Sequence, residues 1–182
     1  MSKRLNNMYA CFLLILYALE FISCSPKQST LTDKEDQIAV IDSLQKCMVN
    51  AQTQSLNKEL ALQGIAAYKK YVKSFPEDTV SAEYLFRVSD IARGIGDYST
   101  ALSSLQNIIN QYPDFNKIPE CYFLQGYYCQ EFFHDTISAR VHYQNFLSKY
   151  PNHPLSNDAK TLIKLLGKTD DEIVKRFRLE SK

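Results

Sequence analysis

One helical pattern occurs three times in the chain, and each copy runs into a proline. Gly64, Tyr68, Tyr71, Val72 and Phe75 stand at offsets 0, 4, 7, 8 and 11, followed by Pro76. Ala101, Leu105, Ile108, Ile109 and Tyr112 repeat those offsets before Pro113, and Ala139, Tyr143, Phe146, Leu147 and Tyr150 repeat them before Pro151. Such spacing puts five side chains on one face of an α-helix. Each proline stops its helix, because it has no N–H for the ladder and restricts the residue before it. The prolines lie 37 and 38 residues apart, a period that fits one helix pair and predicts an all-α stack of antiparallel pairs, an α-solenoid. With five glycines in 182 residues and no alternating β-branched runs, nothing argues for a sheet.

The periodicity predicts helices near 36–53, 57–75, 79–94, 97–112, 117–133, 135–150 and 154–166. Gly167 reads as a stop, and Thr169 with Glu172 as a capping box for a last helix near 170–179. That gives seven or eight helices, the outer pairs being the least repeat-like. Hydrophobic residues at 45% and charged residues at 23% suit a folded domain. A net charge of +1 without a basic stripe argues against nucleic acid as a partner.

The second helix of each pair resembles that of the tetratricopeptide repeat (TPR) family, with a small residue, a large apolar one four later and a proline twelve later. Gly64, Ala101 and Ala139 take the small position. Leu85, Val88, Ser89 and Ala92 match the family's first-helix core positions, as do Tyr122, Gln125, Gly126 and Cys129, and Gly96-Asp97-Tyr98 matches its turn. The resemblance covers about residues 36 to 166, and it implies a non-enzymatic module that binds proteins or peptides in a concave groove.

Residues 1–23 read as a signal peptide. Lys3 and Arg4 precede an apolar run from Met8 to Ile22, too short and too interrupted by Glu20 to span a bilayer. Ser23-Cys24, where composition turns polar, resembles the lipobox of bacterial lipoproteins, although Phe21 departs from the aliphatic residue usual there. Cys24 is therefore the expected lipidation site and membrane contact, at a bacterial envelope and on the periplasmic face of the outer membrane. Residues 24–35 are expected to be a flexible tether of roughly 20 Å, and residues 36–182 the repeat domain.

No catalytic, metal-binding or cofactor motif stands out. Cys121 and Cys129 are about 12 Å apart along one predicted helix, too far to bond, and Cys129 falls on a core position. A disulfide from Cys47 to either is the minor alternative. His134 and His153 fall in turns, and His142 is expected on the outer surface. None of the three has a nucleophile partner in a recognised motif.

The first helices offer the candidate binding face. If Tyr122, Gly126 and Cys129 point inward, Phe123, Tyr127 and Gln130 line the concave side. The equivalent register in the preceding pair puts Glu83, Phe86, Asp90 and Arg93 there. A Phe86–Phe123–Tyr127 strip with a polar rim suits partner anchors; a helix of the same chain filling the groove, or ordinary core packing, is the competing reading. TPR domains that clamp a C-terminal carboxylate use Lys, Asn and Arg at these positions, and Phe86 and Asp90 argue against that mode.

The resemblance extends to lipoproteins of the outer-membrane barrel-assembly machine and to periplasmic proteins that coordinate wall synthesis with constriction. It implies a scaffold or adaptor in envelope assembly or maintenance. The alternative is a helical module that binds a small molecule or substrate, as an accessory to an enzyme.

Overall fold

The computed structural model describes residues 26–48, 56–169, 171–172 and 174–175, with side chains from residue 33. Among the described residues seven helices have both ends defined: α1 (Pro26–Cys47), α2 (Lys58–Ser74), α3 (Thr79–Gly94), α4 (Tyr98–Gln111), α5 (Ile118–Glu131), α6 (Thr136–Lys149) and α7 (Ser156–Leu165). The described residues contain no β-strand, and none of their helices is long and apolar enough to cross a membrane. The fold is an all-α, TPR-like solenoid.

Two compact units divide the chain, residues 1–37 and 38–182. Residues 26–37 of the first unit are helical. The tether expected over 24–35 is thus helix from Pro26 onward, and α1 begins ten residues before the expected start. Proline is well suited to the first helical position, where its missing N–H has no partner to lose. The signal segment, Ser23 and Cys24 lie outside the described residues.

In the second unit, consecutive helices pack against each other from α2 to α7. The repeated pattern becomes the core. Tyr68, Tyr71, Ala101, Leu105, Ile108, Ala139, Tyr143 and Phe146 are all at most 1% exposed. Their helices start and stop by the same devices. Asn57, Asp78, Asp97 and Asp135 each cap a helix through a side-chain oxygen that accepts a backbone N–H of the first turn. Phe75, Tyr112 and Tyr150 close α2, α4 and α6 with near-identical backbone, φ between −130° and −133°, each donating its N–H to the carbonyl four residues back. Ser81 then donates to the Phe75 carbonyl at 2.7 Å and Ser156 to the Tyr150 carbonyl at 2.8 Å, so one serine joins each turn to the next helix. Ile118 holds the corresponding place after Tyr112.

Small residues stand where helices approach closely. A Cβ on Gly64 would meet the Met48 sulfur at 2.7 Å. Ile41 and Met48 are buried in the chain's own core. Gly96 and Gly167 adopt positive φ of 80° and 77° and end their helices as expected. The Thr169 N–H donates to Glu172 Oε2 at 2.8 Å and the Glu172 N–H to Thr169 Oγ1 at 3.4 Å, which completes the capping box. Beyond it, 171–172 and 174–175 are helical, the rest of 170–179 lying outside the described residues.

Candidate functional site

Four of the candidate residues lie along α3, and three of them have a partner in the turn that follows α4. Lys117 Nζ lies 2.8 Å from Glu83 Oε2 and 4.8 Å from the centre of the Phe86 ring. Phe86 is half-buried and tilted against Phe115, with ring centres 6.2 Å apart. One cation thus sits between a carboxylate and an aromatic face. Asp90 follows one turn later and is exposed, yet desolvation raises its carboxyl above the usual range, opposed by the Arg93, Lys117 and Arg87 charges. Arg93 closes the row, exposed at the end of α3. The outcome is a mixed-charge rim around one half-buried phenylalanine.

The α5 residues take different places. Phe123 packs on α6, 5.5 Å from the Tyr143 ring and 5.7 Å from Phe146. Tyr127 pairs with Tyr128 and Phe132, at 6.1 and 5.9 Å. Gln130 accepts the Tyr143 hydroxyl at 3.3 Å and donates to Glu131. Among the described residues neither Phe123 nor Tyr127 has a ring contact with Phe86. The ring contacts of Phe86, Phe123 and Tyr127 thus fall into three separate groups. The reason is Gly126: with no side chain there, Tyr143 crosses close to α5 and draws Phe123 onto its own helix pair.

Spacing did identify Gln125, Gly126 and Cys129, which are buried, whereas Tyr122 is half-buried. It missed Cys121 and Tyr128, both 0% exposed. Tyr128 reaches back to α3, its hydroxyl 3.4 Å from Ser89 Oγ, and so bridges consecutive helix pairs. The signal for it is Ser89, a small polar residue among Leu85, Val88 and Ala92, which leaves room and a hydrogen-bonding partner.

A second carboxylate contact echoes the first. Glu120, near the start of α5, lies 3.6 Å from His153 Nε2 in the turn after α6. The Leu155 N–H donates to His153 Nδ1 at 3.3 Å, which leaves Nε2 as the nitrogen that carries the proton toward Glu120. Glu83–Lys117 and Glu120–His153 both join the start of a first helix to the turn leaving the same helix pair.

Cys47 is exposed, Cys121 and Cys129 are buried, and all three are free thiols. Burial pushes the Cys121 thiol up to about 12 and also raises that of Cys129. His142, expected on the outer surface, is half-buried beside Leu102, Gln106 and Gln125, and burial lowers its basicity. His134 is exposed with a φ of 52°. Among the described residues no three His, Cys, Asp or Glu side chains are placed to hold a metal ion. A cavity of about 880 Å³ opens between the turns after α2 and α4, where Glu77, Asp78, Glu83 and Asp114 face Val80, Tyr112 and Phe115.

The tetratricopeptide repeat family model matches residues 83–114, the stretch that carries Glu83, Phe86, Asp90 and Arg93. No curated protein matches the chain.

Proposed function

We propose that the protein is a membrane-anchored, non-enzymatic scaffold that binds protein partners on the α3 face of its repeat stack and serves envelope assembly or maintenance. The observation that carries this reading is the half-buried Phe86. It lies against Lys117 and Phe115 within the stretch matched by the tetratricopeptide repeat model, and it is flanked by Glu83, Asp90 and Arg93. An aromatic anchor inside a charged rim is how a small patch gains both affinity and selectivity. The anchor rests on Ser23-Cys24 at the point where the sequence turns polar, which also motivates placement on the periplasmic face of the outer membrane.

Crosslinking in intact cells, followed by detergent extraction and mass spectrometry, tests both parts when wild type, Phe86→Ala and Cys24→Ser are run together. The expected result is a defined set of envelope proteins, diminished by Phe86→Ala, with membrane fractionation lost in Cys24→Ser. Recovery of the same proteins with Phe86→Ala sinks the α3 face. Membrane association unchanged by Cys24→Ser sinks the anchor.

A further inference from the structure

His153 stands in the turn between α6 and α7, its side chain 20% exposed and its ring centre 5.6 Å from that of Phe146. Its two ring nitrogens serve two different helices. Nδ1 accepts the N–H of Leu155 at 3.3 Å. Leu155 is the N-cap of α7 and has no side-chain cap of the kind that Asn57, Asp78, Asp97 and Asp135 supply to other helices. Nε2 lies 3.6 Å from Oε1 of Glu120 on α5, just beyond hydrogen-bonding distance. Glu120 Oε2 is buried and has no hydrogen-bond partner among the described residues. The carboxylate is thus short of a donor, which an imidazolium would supply. In the preceding helix pair the corresponding place belongs to Lys117, and a lysine is ordinarily charged throughout the neutral range. Its Nζ closes on Glu83 to 2.8 Å.

We propose that His153 is a pH-operated latch, which holds the start of α7 when neutral and turns to Glu120 of α5 when charged. The two nitrogens make the states exclusive. A neutral imidazole with its proton on Nε2 leaves Nδ1 free to accept the Leu155 N–H. An imidazolium carries a proton on both nitrogens, so Nδ1 repels that N–H while Nε2 gains a charge-assisted bond to the carboxylate. Imidazoles ordinarily make this change between about pH 5 and 8. The other charged or titratable groups on the elements that meet here are Lys117 at the start of α5, tied to Glu83, and buried Cys121, whose thiol burial raises to about 12. On α6 they are Lys149, 5.5 Å from the centre of the Tyr122 ring, and Tyr150, raised by burial; on α7, the exposed Asp158 of the first turn. Groups of these types do not ordinarily change charge in that range. Ser156, which donates to the Tyr150 carbonyl at 2.8 Å, does not titrate and keeps α7 on the turn in both states. The latch uses no residue of the α3 face and stands independently of the partner-binding reading.

NMR of the full chain tests it, with the His153 ring titrated and the exchange of the Leu155 amide followed over the same pH range. The Leu155 protection factor should fall about fivefold between about pH 8 and about pH 5, the loss of one net hydrogen bond. In Glu120→Gln, which keeps the shape and removes the charge, His153 should titrate at lower pH than in wild type, because the anion that favours the imidazolium is gone. His153→Gln identifies the resonance among the three histidines and should abolish the step in Leu155 protection. A His153 midpoint untouched by Glu120→Gln overturns the proposal. So does Leu155 protection that stays level across the His153 titration, or a step that persists in His153→Gln.

Discussion

A Cβ on Gly126 would stand 2.7 Å from Cδ1 and from Cε1 of Tyr143, a ring that is fully buried in the second helix of the same pair. The ring has no room to retreat, since Phe123 lies 5.5 Å away on one side and the Tyr143 hydroxyl is tied to Gln130. Gly126→Ala should therefore lower stability. Alanine's better helix propensity returns about 1 kcal/mol, against an overpacking cost of roughly 1–3 kcal/mol. Gly64→Ala should cost less, because the atom it meets is the flexible Met48 thioether. Thermal unfolding of the two variants side by side checks the order; a more stable Gly126→Ala would contradict the packing.

Ala101 is 0% exposed and sits where α4 crosses its neighbours. Ala101→Leu should cost roughly 1–3 kcal/mol through overpacking. An unchanged melting temperature would refute the register that places this residue inward.

Tyr71 donates its hydroxyl to Asp78 Oδ2 at 2.7 Å, while Asp78 Oδ1 accepts the Val80 N–H and caps α3. The bond locks the cap of one helix pair to the core of the previous one. Burial and the bond to Asp78 both raise the Tyr71 phenol above its ordinary value, so it stays protonated and able to donate. Tyr71→Phe keeps the ring and should cost roughly 0.5–1.5 kcal/mol. Denaturant titration would show it as a lower midpoint with an unchanged slope.

The Asp97 cap gives a dependence on pH whose sign is fixed. Hydrogen bonds from Thr100 hold the Asp97 carboxyl below its ordinary value. A folded value below the unfolded one stabilises above the unfolded value, and that contribution fades as pH falls through the folded one. Asp97→Asn should thus differ from wild type most near neutral pH, by roughly 0.5 kcal/mol for a cap that is partly open to water. The gap should narrow as pH drops below the ordinary carboxylate range. A gap that widens in acid would reverse the assignment.

Cys121 and Cys129 are buried and their thiols are raised, whereas Cys47 is exposed. The thiolate is the reactive form. In a variant lacking Cys11 and Cys24, a thiol reagent at pH 8 should modify Cys47 quickly and the other two only after denaturation. Peptide mapping before and after denaturation reads this directly.

Much of the stack was legible because each second helix carries its core residues on one narrow face and ends in an aromatic–proline pair, as at Tyr112-Pro113. The caps Asp97 and Asp135 and the capping box at Thr169 are equally local, set by chemistry within a few residues. The binding face was less so. Helix α5 holds Tyr122, Phe123, Tyr127 and Tyr128 on several sides at once, so periodicity indicates no single inward direction. Long-range steric facts decide instead: Gly126 admits Tyr143, and Ser89 receives Tyr128. The early start of α1 escaped for another reason, because residues 26–35 are polar and show no apolar stripe to betray a helix.

Helix α5 contributes Cys121 and Tyr128 to one buried cluster and Cys129 to the other. It is the party wall of the stack, with two rooms leaning on neighbouring faces of it. Repeat arrays hold together by neighbour contacts, so cooperativity between the α2–α4 part and the α6–α7 end passes through this helix and through Leu102 of α4, which also packs on the second cluster. Loosening α5 would turn a single unfolding transition into two, and a partner that grips it would make the whole array behave as one.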